Sequence, residues 1–144
     1  MKSQIFLISM FGNLLADPSL AACLDVKITT TQKAENAKTV LVGVYREADP
    51  FPKPGRHLVA DRATIRDGTA TIKFQNIPAG RYALASGLDR NSNGMVDVNF
   101  LGLPTEPVAF SMNARASLFG PPRFIDAAFE IKEGTLCRSV TISF

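Results

Sequence analysis

The sequence predicts an all-β protein, an antiparallel sandwich of about seven to eight short strands. Apolar residues alternate with polar ones at a period of two in several short segments. Glycine, proline and asparagine separate these segments, as is typical of turns between strands. The chain of 144 residues is long enough to bury the core of a single domain, which we place at residues 23–144.

Residues 1–22 have the features of a cleaved signal peptide. Lys2 is followed by the apolar stretch Ile5–Ala16, and Ser19 and Ala21 supply the small residues of a cleavage site. A buried amphipathic helix is the alternative, but the apolar stretch is too short to span a membrane. We therefore expect an exported protein, periplasmic or secreted, that is not an integral membrane protein.

Two cysteines, Cys23 and Cys137, lie in the first and last predicted strands. Terminal strands of small sandwiches can be neighbours, so export to an oxidising compartment favours a disulfide between them. Closing so long a loop would contribute up to ~4.7 kcal/mol in the chain-entropy model. The alternative is a lipoprotein: the sequence LAAC, ending at Cys23, also fits a lipidation motif and would make the protein lipid-anchored.

The first strands differ in the number of faces that they bury. Leu24–Thr30 alternates strictly, which predicts a half-buried strand. Thr39–Arg46 is continuously apolar and rich in β-branched residues, which is typical of a central strand. Pro50, Pro52 and Pro54 then exclude both a helix and a central strand, and they predict a rigid surface loop.

The second half of the strand pattern begins with a turn. Asp67-Gly68 is flanked by alternating residues and predicts a hairpin with a type I′ turn. A turn at Pro78–Gly80 precedes a strand with Tyr82 on its apolar face. Residues 123–144 alternate again, predicting two strands joined at Glu133-Gly134. The complete series describes an immunoglobulin-like sandwich.

The segment that follows the predicted strand containing Tyr82 resembles a calcium loop. Asp89, Asn91 and Asn93 occupy its positions 1, 3 and 5, and Gly94 occupies the sixth, where the chain must turn sharply. Calcium prefers six to eight oxygen ligands, which carboxylates, carboxamides and carbonyls supply. The same residues also suit an Asx-rich turn without metal, and the sequence leaves both interpretations open.

The remaining positions of the loop predict weak binding. The carbonyl of Met95 would be the seventh-position ligand, and Asp97 falls at position nine. Position twelve, which normally holds a bidentate glutamate, is Phe100. We expect a calcium affinity on the order of 10⁻⁴–10⁻³ M unless Glu106 reaches the ion.

Residues 100–122 form a long, apolar segment interrupted by prolines. Long loops in compact domains usually carry a function or contain structure of their own. Its apolar side chains either cover an edge of the sandwich or bind a protein or another envelope partner. The formal charge of +3 comes from scattered basic residues, so a nucleic-acid-binding arm is excluded.

The sequence contains no recognisable catalytic constellation. His57 is the single histidine, and no nucleophile motif, zinc-ligand spacing or phosphate-binding glycine loop accompanies it. We therefore expect a non-enzymatic module with a binding or structural role in the cell envelope. The alternative is an enzyme with its site between residues 89–97 and residues 100–122, using Asp89 or Glu106.

Two stretches, FQNIPAGRYALASGLDRNSNGMVDVNFLGLPTEPVAFSMNA and GPPRFIDAAFEI, resemble the small exported bacterial proteins of domain of unknown function number 2141. The matching residues are Phe74, Pro78, Gly80, Tyr82, Ala83, Asp89, Asn91, Asn93, Gly94, Asp97, Gly102, Pro104, Glu106, Gly120, Pro121, Pro122, Phe124 and Ala127. Leu88 departs from the family pattern, which commonly has histidine there. The family has no established activity, so the resemblance implies export and a sandwich fold. IPAGRYALA is also similar to prealbumin-like domains, which are immunoglobulin-like sandwiches.

Overall fold

The computed structural model describes residues 21–31 and 37–144. Most of the predicted signal peptide, residues 1–20, lies outside the described residues. No helix in the described part is long and apolar enough to cross a membrane. The strands are β1 (Ala22–Thr29), β2 (Thr39–Arg46), β3 (Val59–Thr64), β4 (Thr69–Ile77), β5 (Gly80–Asp89), β6 (Val108–Phe110), β7 (Phe129–Ile131) and β8 (Cys137–Ser143). A short helix, α1 (Phe124–Ala127), precedes β7.

The strands form two sheets, which confirms the predicted all-β sandwich. One sheet has the order β4-β1-β8, and the other has the order β3-β2-β5, with β6 and then β7 pairing with the far edge of β5. All pairs are antiparallel except β1 with β8, which run in the same direction. The two long apolar connections, from β5 to β6 and from β6 to β7, therefore both begin and end at β5 or at strands along one edge of it.

The core lies between the sheets and follows the alternation in the sequence. β2 is central, as predicted, and part of its outward face is covered as well: Tyr45 packs edge-on against Phe51 of the proline-rich loop. The Tyr45 hydroxyl donates to the carbonyl of Lys53, and burial raises the pKa of Tyr45 to about 12. The inward-facing core includes Leu24, Val26, Ile28, Val40, Val42, Val44, Ile72, Phe74, Tyr82, Leu84, Leu88, Ile131, Val140 and Ile142.

The predicted hairpin at Asp67-Gly68 is only partly correct. Both residues have positive φ, 50° and 72°, and Arg66 and Thr69 exchange hydrogen bonds of 2.8 and 2.9 Å across the turn. Beyond this pair the flanking strands separate, because β3 pairs with β2 and β4 pairs with β1 in the opposite sheet. Each strand thereby turns its apolar side chains into the shared core, which a two-stranded ribbon could not provide.

The C-terminal segment also differs from the prediction at its start. Residues 124–127, expected in a strand, form α1. Asp126 closes this single turn by accepting hydrogen bonds from the backbone amide (3.2 Å) and guanidinium (3.0 Å) of Arg123. The two predicted strands do follow, as β7 and β8, but they join opposite sheets.

The predicted disulfide between Cys23 and Cys137 is present. These residues are direct neighbours in the parallel pair of β1 and β8, with their Cα atoms 4.4 Å apart. Because the sulfur of Cys23 is bonded to that of Cys137, it is not available for the lipidation considered above.

Candidate functional site

The predicted calcium loop begins where β5 ends. Strand β6 returns beside β5, with Gly87 paired to Val108 and the Leu88 amide donating to the carbonyl of Pro107 at 2.9 Å. Both ends of the intervening segment are therefore fixed side by side. We call residues 89–97 the polar loop and residues 98–104 the finger.

Asp89 is the central acceptor of the polar loop. It is only 2% exposed, and its Oδ1 and Oδ2 accept hydrogen bonds from the amides of Asn93 (3.2 Å) and Gly94 (2.8 Å). Ser92 and Gly94 have positive φ values of 60° and 82°, so the chain coils around this carboxylate. Burial of a charged group is tolerated because each oxygen receives a backbone donor.

Glu106 clamps the two ends of the polar loop. It is 8% exposed; its Oε1 accepts the Arg90 amide at 2.7 Å, and its Oε2 accepts the Asp97 amide at 3.0 Å. The sequence suggested Glu106 only as a speculative metal ligand. Its observed contacts are instead those of a brace that holds residue 90 beside residue 97.

The other predicted ligands converge above the buried carboxylate. Asn91 and Asn93 both donate their side-chain amides to the carboxylate of Asp97, the second at 2.6 Å. Oδ1 of Asn91 lies 3.2 Å from the Asn93 amide, the same donor that Asp89 uses. Met95 donates its amide to Oδ1 of Asn93 at 3.1 Å. The structure thus brings the predicted carboxylate and carboxamide groups into one cluster.

The finger is a small hairpin with an apolar tip. Val98 pairs with Pro104, and Oδ1 of Asn99 accepts the amides of Leu101 (2.9 Å) and Leu103 (3.0 Å). At the tip, Phe100 is 95% exposed. The role of Asn99 was not predicted, although an asparagine before a turn is the typical signal for this contact.

Packing against the sheet fixes the base of the finger. A Cβ atom added to Gly87 would lie 2.1 Å from Cγ2 of Val96, so the side chain of Val96 occupies the space above this glycine. A Cβ atom added to Gly94 would lie 3.5 Å from Nη1 of Arg62, on β3. The polar loop therefore rests on the outer surface of the sheet.

A second apolar projection leaves the edge of β5 between β6 and β7. We call residues 114–123 the arch. At its base Ser111 is fully buried; its Oγ accepts the Leu84 amide at 2.9 Å and donates to the carbonyl of Ala127 at 2.5 Å. This hydroxyl joins β5, the residue that follows β6 and the end of α1. Nothing in the sequence indicated this role of Ser111.

The predicted loop at residues 100–122 is therefore three structures: most of the finger, strand β6, and most of the arch. Only part of it covers the sandwich: Phe110 is buried and packs edge-on against Phe51, and Phe124 follows beside it. The tips of the finger and the arch remain exposed.

Other chemically active groups do not gather at the polar loop. His57 packs edge-on against Tyr45, with ring centroids 6.0 Å apart. Within the described residues, a grouping close enough to share an ion is Cys23, Asp25 and Cys137, but its sulfurs form the disulfide. An open depression of about 590 Å³ lies elsewhere, at β7 and β8; it is lined by Met112, Phe129, Glu130, Lys132, Thr135, Cys137, Arg138 and Ser139.

Comparison with known proteins identifies one family. The model of a family described as "Uncharacterized protein conserved in bacteria (DUF2141)" matches residues 26–137. A comparison with curated proteins finds no match. Among solved structures, the chain is similar to a pilus-presented adhesin, Spy0125 (Cpa), in a cysteine-to-alanine mutant, at 13% identity and a TM-score of 0.27. The match covers 86% of this chain and 27% of the adhesin chain.

Proposed function

This chain belongs to the bacterial family described as "Uncharacterized protein conserved in bacteria (DUF2141)", and we propose that it is an exported, non-enzymatic binding module of the cell envelope. In this proposal the polar loop is a weak calcium site that holds the finger rigid. The finger and the arch present apolar side chains to an envelope partner. The observation that carries the proposal is that, in the part of the chain that the structure describes, Asp89 and Glu106 accept hydrogen bonds only from backbone amides.

These contacts favour a structural role for the two buried acids over catalysis. A general base needs a lone pair directed at the proton that it removes from a substrate. Asp89 and Glu106 are buried, and each of their oxygens accepts an amide of the loop itself. The same contacts fix the path of the backbone into the finger, which is what a binding projection needs.

The calcium proposal is supported by the cluster of Asp89, Asn91, Asn93 and Asp97. Turning the two carboxamides over would direct their oxygens towards Asp97, in place of the amide groups that now contact it, and would break the hydrogen bonds that these oxygens accept from the amides of Asn93 and Met95. The ion would then have two carboxylates and two carboxamides, with the Met95 carbonyl and water completing the oxygen shell. Glu106 remains the brace of the backbone in this arrangement.

Thermal unfolding in excess calcium and in chelator tests the proposal. With ~10 mM calcium and an affinity of about 10⁻⁴–10⁻³ M, ligand binding stabilises the folded protein by about 1.4–2.7 kcal/mol. We therefore expect the melting temperature to rise by roughly 5–10 °C. Magnesium at the same concentration serves as a control for ionic strength, because it demands a more rigid octahedral shell.

Asp97→Asn is the most informative variant, because among residues 21–31 and 37–144 the Asp97 side chain accepts hydrogen bonds only from the side chains of Asn91 and Asn93. It removes a charged ligand while leaving both backbone braces in place, so we expect the calcium shift to disappear. Glu130→Gln, an exposed change on β7, should retain the shift. An unchanged melting temperature for the wild type in calcium would overturn the metal proposal. A shift that survives in Asp97→Asn would place the ion elsewhere.

A further inference from the structure

The tip of the arch exposes two large apolar side chains completely. Leu118 and Phe119 are 101% and 99% exposed relative to an extended reference chain. They occupy a tight turn in which Ser117 and Gly120 exchange hydrogen bonds of 2.8 and 3.2 Å. The Phe119 amide also donates to Oγ of Ser117 at 3.2 Å. The turn therefore directs both side chains away from the described part of the sandwich.

The charge around this tip is positive. Residues 107–126 contain two arginines, Arg115 and Arg123, and one acidic residue, Asp126. Arg123 pairs with Asp126, whereas none of the ion pairs formed within residues 21–31 and 37–144 includes Arg115. The finger itself, residues 98–104, contains no charged residue, and the longer segment around it, residues 89–106, contains three acidic residues and one arginine.

The shape of the tip distinguishes between two kinds of partner. A stable protein interface buries roughly 800 Å² on each partner across a matched surface, and one convex turn with two apolar side chains supplies only part of that area. A lipid bilayer accepts a convex apolar tip without a matching pocket, while flanking arginines reach its phosphates. Anionic lipid also complements the positive charge beside the tip.

We propose that the arch is a membrane-surface anchor. Leu118 and Phe119 enter the boundary between lipid headgroups and acyl chains, and Arg115 and Arg123 contact anionic headgroups. The inference rests on the proposed function, since it names the envelope partner as an anionic lipid surface. It requires no calcium, because the polar loop is not part of the arch.

Vesicle flotation with the purified protein tests this inference. The probes are vesicles of phosphatidylcholine alone and vesicles that also contain phosphatidylglycerol, both in chelator. We expect binding to the anionic vesicles, weakened by added salt. Leu118→Ser and Phe119→Ser should each lower the partition coefficient about tenfold, and Arg115→Gln should lower it roughly fivefold. These side chains are exposed, so the melting temperature of each variant should match that of the wild type.

Phe100→Ser with Leu101→Ser is the matched control, because it removes two exposed apolar side chains from the tip of the finger, which contains no arginine. This variant should bind anionic vesicles as the wild type does. Failure of the wild type to bind anionic vesicles, or undiminished binding by Leu118→Ser/Phe119→Ser, would overturn the inference. Loss of binding only in the finger variant would also overturn it, by assigning the contact to the finger. Calcium melts contain no lipid, so they decide the proposed function separately.

Discussion

The finger and the arch have similar tips, but different contacts hold their bases. Each is a turn with neighbouring large apolar side chains in solvent. The finger is held at its base by the carboxylates of Asp89 and Glu106, whereas the arch is held by the neutral hydroxyl of Ser111. Two tips that are equally exposed can therefore be held in place by different kinds of contact. Under the proposed function, calcium acts on the acid-braced finger and not on the arch.

Asp89→Ala should produce the largest effect on the finger. It leaves the amides of Asn93 and Gly94 without their acceptor inside the polar loop. Loss of two hydrogen bonds to a buried charge should lower the free energy of unfolding by about 3–5 kcal/mol, measured by urea denaturation. Asp97→Ala is the control, since Asp97 accepts from exposed side-chain amides in addition to carrying the proposed ligand role. Equal losses in the two variants would contradict the assignment of Asp89 as the main brace.

Ser111→Ala should produce the corresponding effect on the arch. It removes the acceptor of the Leu84 amide and the donor to the Ala127 carbonyl, both of which are buried. We expect the free energy of unfolding to fall by about 2–3 kcal/mol, together with faster hydrogen exchange at the Leu84 amide. Ser117→Ala removes only an exposed contact at the arch tip and should change neither quantity measurably. Unchanged protection of Leu84 in Ser111→Ala would show that the hydroxyl is not the anchor.

Gly87→Ala should act on the finger through packing instead of hydrogen bonding. The new methyl group would overlap Cγ2 of Val96, which lies 2.1 Å from the position of the added Cβ. Displacing the loop should lower the free energy of unfolding by about 1–3 kcal/mol. Val96→Ala removes the obstructing atom, so the double variant should be more stable than Gly87→Ala alone in a double-mutant cycle. Additive losses in the cycle would mean that the two residues do not interact.

The sequence predicted those features that depend on neighbouring residues. The alternation of Leu24, Val26 and Ile28 identified a strand, and Asp67-Gly68 identified a turn whose two φ values are indeed positive. It did not show that the strands flanking this turn join opposite sheets. That choice depends on pairing with β2 for β3 and with β1 for β4, and both partners lie outside the local pattern around the turn.

The contacts of the candidate site also divide into local ones, which the sequence predicted, and long-range ones, which it did not. Asp89, Asn91 and Asn93 are within five residues of one another, so their spacing indicated that they act together. Glu106 reaches back 16 residues to the Arg90 amide, and Ser111 reaches back 27 residues to that of Leu84. These contacts exist only because β6 returns beside β5. No local pattern in the sequence specifies them.

The smallest predicted effect tests whether the arch is free of charged anchors. At its C-terminal end, the hydrogen-bonded Arg123 guanidinium lowers the pKa of Asp126. A carboxyl whose pKa is lower in the folded state adds stability above its ordinary pKa of about 3.9, and this stability is lost as the pH falls through the folded value. Asp126→Asn should therefore melt slightly below the wild type at neutral pH and low salt. The effect should be smaller than in the three variants above, because the pair is exposed and screened.

Both acid and salt should abolish this difference in melting temperature. A difference that persists below the folded pKa of Asp126 would mean that the side chain acts through the geometry of α1, where it also accepts the Arg123 amide. In that case the arch is held by uncharged contacts at both ends, and the contrast with the acid-braced finger is complete. A difference that follows the titration would show instead that one charged pair supports the arch. It would also mean that binding of Arg123 to lipid phosphate competes with Asp126, which would weaken the arch while it anchors the protein.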